Sequence, residues 1–139
     1  MDVDRFVASI ESHIDEPYQH QGRGPGGFDC IGLVIAALHE QGIACAAPAD
    51  YQRRPTGDSL IRGIEASGLF SLRAQGTTPQ AGDVLVFRVV ENPQHVGVAL
   101  DGGRFVHATW TGGKVRLAHL GSYWRTRLVK IYRWHEWKQ

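Results

Sequence analysis

The run Cys30-Ile31-Gly32-Leu33-Val34-Ile35-Ala36-Ala37-Leu38-His39-Glu40-Gln41 is apolar on nearly every side and stops at Gly42. This is the pattern of a helix enclosed by the rest of the chain, with glycine as its C-terminal signal. A helix of that kind needs one core that surrounds it. A chain of 139 residues has the usual size of a single compact domain able to supply such a core. The expectation is therefore one domain over residues 1–139.

The neighbouring segments say what encloses it. From Asp4 to Ile14 the apolar residues Phe6, Val7, Ile10 and Ile14 recur at helical spacing, with Asp2 or Asp4 as N-cap and Pro17 as the stop. Gln21 to Gly27 is a glycine-rich loop. Ala46 to Arg54 reads as a connection. Asp58-Ser59 can cap a short helix through Leu60, Ile61 and Ile64, closed by Gly68. After Pro79 the period changes to that of strands: Asp83 to Val90, His95 to Leu100, Arg104 to Thr109, Lys114 to Leu117 and Leu128 to Trp134. Turns are expected at Glu91-Asn92-Pro93-Gln94, Asp101-Gly102-Gly103 and Thr111-Gly112-Gly113. Helices first and an antiparallel sheet afterwards predict an α+β fold.

Composition removes several functional classes. Hydrophobic residues make up 42% and charged residues 21%, as in an ordinary globular protein. The net charge of +1 speaks against a nucleic-acid binder. No apolar stretch is long enough to span a bilayer, so no membrane association is expected. Met1-Asp2-Val3-Asp4-Arg5 lacks the pattern of a secretory signal, which predicts synthesis and folding in the cytoplasm. The loop before Cys30 has no P-loop lysine, so nucleotide binding is not expected. Cys30 and Cys45 form no CxxC pair, and neither a metal nor another cofactor is expected.

The residues that carry chemistry are Cys30, His95 and His107. Cys30 opens the buried helix, where unpaired N–H groups and the helix dipole favour a thiolate. The same amides could hold the oxyanion of a tetrahedral intermediate. His95 begins one strand and His107 lies near the end of the next, so antiparallel pairing brings them onto neighbouring strands. One imidazole can take the thiol proton while the other fixes its tautomer, the logic of a Cys-His-His triad.

These residues sit in blocks that resemble the NlpC family of papain-like cell-wall cysteine peptidases. The blocks are Phe28-Asp29-Cys30-Ile31-Gly32-Leu33-Val34, Ala81-Gly82-Asp83-Val84-Leu85-Val86-Phe87, His95-Val96-Gly97-Val98-Ala99-Leu100 and Phe105-Val106-His107-Ala108, in that order. Tyr18 and Cys30 are twelve positions apart, as are His95 and His107. The resemblance implies a papain-like fold with Cys30 as nucleophile, His95 as base and then acid, and His107 as the orienting residue. It implies that Tyr18 helps bind substrate or stabilise the oxyanion, and that Asp29 lies beside a free amine of the substrate. The substrate it implies is the peptide stem of bacterial peptidoglycan, cut between γ-D-glutamate and the following diamino acid.

Ile31 stands where secreted members usually carry serine. Pro17 to Arg23, Phe87-Arg88 and Tyr123-Trp124-Arg125 are more similar to small members carried by tailed phages and gene-transfer particles, which implies tail-tip or hub proteins as partners and a place in a virion. Alternatives stay open. The chain could be a structural tail-tip protein, or an amidase or acyltransferase on the same frame. Asp29 could serve only as an N-cap, and Tyr18 could simply pack. Cys45 reads as a small hydrophobe. His13, His20, His39, His119 and His135 read as exposed or structural, and Trp110, Trp124, Trp134 and Trp137 as core or interface residues.

Overall fold

The computed structural model describes residues 2–45, 57–89 and 91–134. The expected connection at Ala46 to Arg54 lies outside them, as do His135 and Trp137. Four helices are present among the described residues: α1 (Val3–Ser12), α2 (Cys30–Glu40), α3 (Ser59–Ala66) and α4 (Ser122–Arg125). The strands are β1 (Phe70–Leu72), β2 (Val84–Val89), β3 (Asn92–Ala99), β4 (Arg104–Thr109), β5 (Lys114–His119) and β6 (Leu128–Trp134). They form one antiparallel sheet in the order β1-β6-β2-β3-β4-β5. The α+β expectation holds. None of the described helices is long and apolar enough to cross a membrane.

Alternation along each strand sorts the core into two layers. Val84, Val86, Val98, Val106 and Tyr132 face α1, α2 and α3 in the main core, with Phe6, Ile10, Leu33, Ala37 and Leu38. Leu85, Phe87, Ala99, Phe105 and Ile131 face the other way and are covered by Leu120, Trp124 and Leu128. The α2 helix is the enclosed element, with every residue from Gly32 to Leu38 buried. A carboxylate–guanidinium pair ties the sheet together. Arg133 donates from Nε and Nη2 to Oδ1 and Oδ2 of Asp83 at 2.8 and 2.9 Å, and Asp83 is fully buried. This two-pronged geometry locks the start of β2 to the end of β6.

One expected boundary holds and several differ. Asp2 is the N-cap of α1, accepting from the Arg5 N–H. The Asp58 side chain makes no cap bond; it pairs instead with Arg62, one helical turn on. Strand β1 was not expected: its three residues exist as strand only by pairing with β6 at the sheet edge. The turn expected at Glu91-Asn92-Pro93-Gln94 is displaced, because Asn92 and Pro93 already pair with Val89 and Arg88. Proline is tolerated there because β3 and β4 pair only at Val98↔Val106 and Ala99↔Phe105, so Pro93 has no β4 partner to serve.

Candidate active site

The loop before α2 is built against its first turn. Asp29 is the N-cap: Oδ1 accepts from the Gly32 N–H at 2.6 Å and Oδ2 from the Gln21 N–H at 2.9 Å. The Gly22 carbonyl accepts from the Asp29 N–H and lies so close to Gly32 that a Cβ there would stand 1.8 Å from its oxygen. Only glycine fits at position 32. The carboxylate thus holds loop and helix together, with 2% of the residue exposed. Tyr18 runs beside this loop, bridging to Phe28, donating its N–H to the Gly113 carbonyl and packing on the main core.

Cys30 is the first residue of α2, and the main-chain groups of Val96, of Ile31 and of Cys30 itself act to lower its thiol pKa. Val96 lies on β3 and directly follows His95. The expectation of a lowered thiol pKa does not hold. Burial, helped by the nearby Asp29 carboxylate, pushes Cys30 up to about 12, and the main-chain groups offset only part of this. Desolvation outweighs the helix end. Cys45 is also shifted upward by burial, against an opposing effect of Arg23.

His95 and His107 are in direct contact, with His95 Nε2 and His107 Nδ1 2.7 Å apart. Continuing the β3–β4 register would set His107 opposite Gly97 rather than His95. Gly97 lies on β3 two residues beyond His95 and leaves room for the Phe105 ring. A Cβ there would stand 2.8 Å from Cδ2 of Phe105. Burial lowers His95 to about 3, with His107 adding to the effect, and burial together with Arg116 lowers His107 to about 4. Thiol and both imidazoles are therefore neutral at pH 7.

Two neighbours were not singled out as site residues from the sequence. Arg116 pairs directly across from His107 on β5. Counting back from the Thr111-Gly112-Gly113 turn would have found it. Trp124, on α4, packs against both imidazoles and against Phe87 and Phe105. It is brought there by the path between β5 and β6, which carries no local signal. Of the histidines without an assigned use, His13 is structural: its ring nitrogens meet Glu16 and Glu40 at 2.7 and 2.9 Å, joining the end of α1 to the end of α2.

Known proteins are similar to this chain in sequence and in fold. A probable endopeptidase of Mycobacterium tuberculosis is 33% identical over 116 residues, which are 84% of this chain and 26% of that protein. The probable peptidoglycan endopeptidase LytE of Bacillus subtilis is 24% identical over 131 residues, 93% of this chain and 34% of LytE. The murein DD-endopeptidase MepS of Escherichia coli is 27% identical over 110 residues, 79% of this chain and 51% of MepS. The chain thus spans from about a quarter to about half the length of these relatives. Among solved structures, NlpC1 from Trichomonas vaginalis superposes with a TM-score of 0.67 at 26% identity, over 96% of this chain and 44% of that one. The NlpC/p60 domain of the peptidoglycan hydrolase SagA superposes with a TM-score of 0.66 at 23% identity, over 96% and 99%. Residues 15–133, which hold the helix-start cysteine, both contacting histidines and the whole sheet except the end of β6, match the NlpC/P60 family, and the chain belongs to it.

Proposed function

We propose that this domain is a cysteine endopeptidase that hydrolyses the peptide stems of bacterial peptidoglycan, with Cys30 as nucleophile, His95 as base and His107 as its orienting partner. The observation that carries the reading is the 2.7 Å His95–His107 contact, with His95 next in the chain to Val96, whose main chain acts on the Cys30 thiol. The names of the Bacillus and Escherichia relatives support the substrate class, and that of the mycobacterial relative supports an endopeptidase.

The chemistry follows from the neutral resting state. The proton of the His95–His107 bond is assigned to His95 Nε2, with His107 Nδ1 accepting, so that His95 Nδ1 can take the thiol proton. That proton moves as the sulfur adds to the substrate carbonyl carbon, because a standing thiolate–imidazolium pair is disfavoured in this desolvated site. The main-chain N–H groups at the start of α2 are proposed to hold the oxyanion. Collapse of the intermediate expels the amine, which takes the proton from His95, and leaves a thioester. Water, deprotonated by His95, then releases the acid and restores the thiol. Tyr18, beside the loop, is proposed to contact substrate. Asp29 is proposed to sit next to a free amine of the stem while it holds the loop.

The scissile bond proposed is that between γ-D-glutamate and the diamino acid. Pro17 to Arg23, Phe87-Arg88 and Tyr123-Trp124-Arg125 support a further reading, in which a phage-like tail tip carries the domain to the wall. The decisive experiment incubates the purified chain and its Cys30→Ala variant with defined muropeptides and reads the products by mass. Cleavage by the parent and none by the folded variant is expected. Equal cleavage by both would remove Cys30 from the mechanism.

A further inference from the structure

We propose that Trp124 is a positioning residue for the histidine pair: its indole braces both imidazoles from the side of the sheet away from α2 and keeps water from their shared hydrogen bond. This rests on the peptidase reading only for its effect on turnover; the packing itself stands apart from it.

The indole stacks on His95 with centroids 5.8 Å apart at 29°, and meets His107 edge-on at 5.2 Å and 81°. It also contacts Phe87 at 4.9 Å and Phe105 at 5.5 Å, the rings on the same face of β2 and β4. One side chain therefore touches both members of the pair and the two rings that back them. His95 and His107 lie at 74° to each other, so their hydrogen bond needs each ring held in its own plane. A flat indole against both does that more tightly than an aliphatic side chain.

The turn that carries Trp124 is itself tied down. Arg127 Nη1 donates to the Tyr123 carbonyl at 2.7 Å, and its guanidinium lies 3.7 Å over the Tyr123 ring. The Arg127 carbonyl accepts from the Arg88 N–H at 2.7 Å, joining the turn to β2 one residue beyond Phe87, the strand partner of His95. A four-residue helix has little stability of its own. These contacts explain how it can present a side chain in a set orientation. The charged group acting on the pair is Arg116 from β5; among the described residues neither imidazole forms an ion pair.

The test compares full-length Trp124→Ala, Trp124→Phe and Trp124→Leu with the parent. Three quantities are read: histidine ring titration by NMR, thermal midpoint, and kcat and KM on a defined stem peptide across pH. In Trp124→Ala, hydration should move the His95 and His107 titrations up toward the free value. It should also lower kcat roughly tenfold to a hundredfold with KM little changed, as expected for a misplaced catalytic group. Trp124→Phe should restore most of both effects, and Trp124→Leu should restore folding but not the titrations. If the alanine variant does not fold, the Phe–Leu pair carries the same comparison. Unchanged titrations and kcat in a folded alanine or leucine variant would overturn the proposal. So would a loss of kcat that merely follows the unfolded fraction. If the parent cleaves no stem peptide while the titrations still answer to position 124, the brace stands and the peptidase reading falls.

Discussion

The neutral histidine pair predicts a steep loss of stability on mild acidification. An unfolded histidine takes up a proton near pH 6.5, whereas folded His95 and His107 resist it down to about 3 and about 4. Folded values below the unfolded one mean that stability is full above pH 6.5 and is lost progressively as pH falls toward the folded values. Between pH 7 and pH 5 each histidine is about 1.5 units into that window, and at 1.36 kcal/mol per unit each contributes a loss of about 2 kcal/mol. The figure hardly depends on how far below pH 5 the folded values lie. His13 works in the opposite direction. Burial alone would lower its pKa, but the Glu16 and Glu40 carboxylates outweigh that and raise it, so its contribution is present below pH 6.5 and lost as pH rises through the folded value. Those carboxylates are nearly half exposed, and solvent screening keeps this return below about 1 kcal/mol. The net expectation is a loss of about 3 kcal/mol, a large share of the roughly 5–15 kcal/mol typical of a domain. Urea unfolding at pH 7 and pH 5 measures it, with a His95→Asn/His107→Asn double variant as the control. The double variant should lose little between the two conditions. Equal losses in parent and double variant would refute the claim that the pair is buried neutral.

Alkylation of Cys30 followed against pH should show a half-maximal rate well above pH 9, because burial and Asp29 hold the thiol proton; a midpoint below pH 8 would mean that a stable ion pair exists. Asp29→Asn should move that midpoint down by removing the neighbouring charge, and Asp29→Ala should cost about 2 kcal/mol in denaturant unfolding by orphaning the Gln21 and Gly32 amides. Gly97→Ala should push the Phe105 ring aside and lengthen the His95–His107 contact, read as lost histidine coupling by NMR; an unchanged spectrum would show that the space at Gly97 does not bear on the contact. Arg116→Gln should raise the His107 titration, since the guanidinium charge opposes its protonation; no movement would leave burial as the whole cause.

Much of this protein was legible from residue order alone. The enclosed helix starts at Cys30 as expected, β4 and β6 have the expected bounds, and the glycine turns fall between the strands they join. These features are local: a dihedral preference or a side-chain period announces them within a few residues. The resemblance of four short blocks pointed to the family. Strand β1 was not legible, because three residues at an edge become a strand only when β6 lies beside them. The contact between His95 and His107 depends on where β3 and β4 part, since the continued register would not set the two opposite each other. Trp124 reaches the site by way of a turn that is distant in sequence from both histidines. The sign of the Cys30 shift was also decided by tertiary structure. A helix start favours the thiolate, but the strands packed over it remove water, and in a desolvated site that cost is larger than the attraction of a few amides. Sequence carries the periods and the chemical groups; solvent exclusion and close approach arise only once distant segments share a surface.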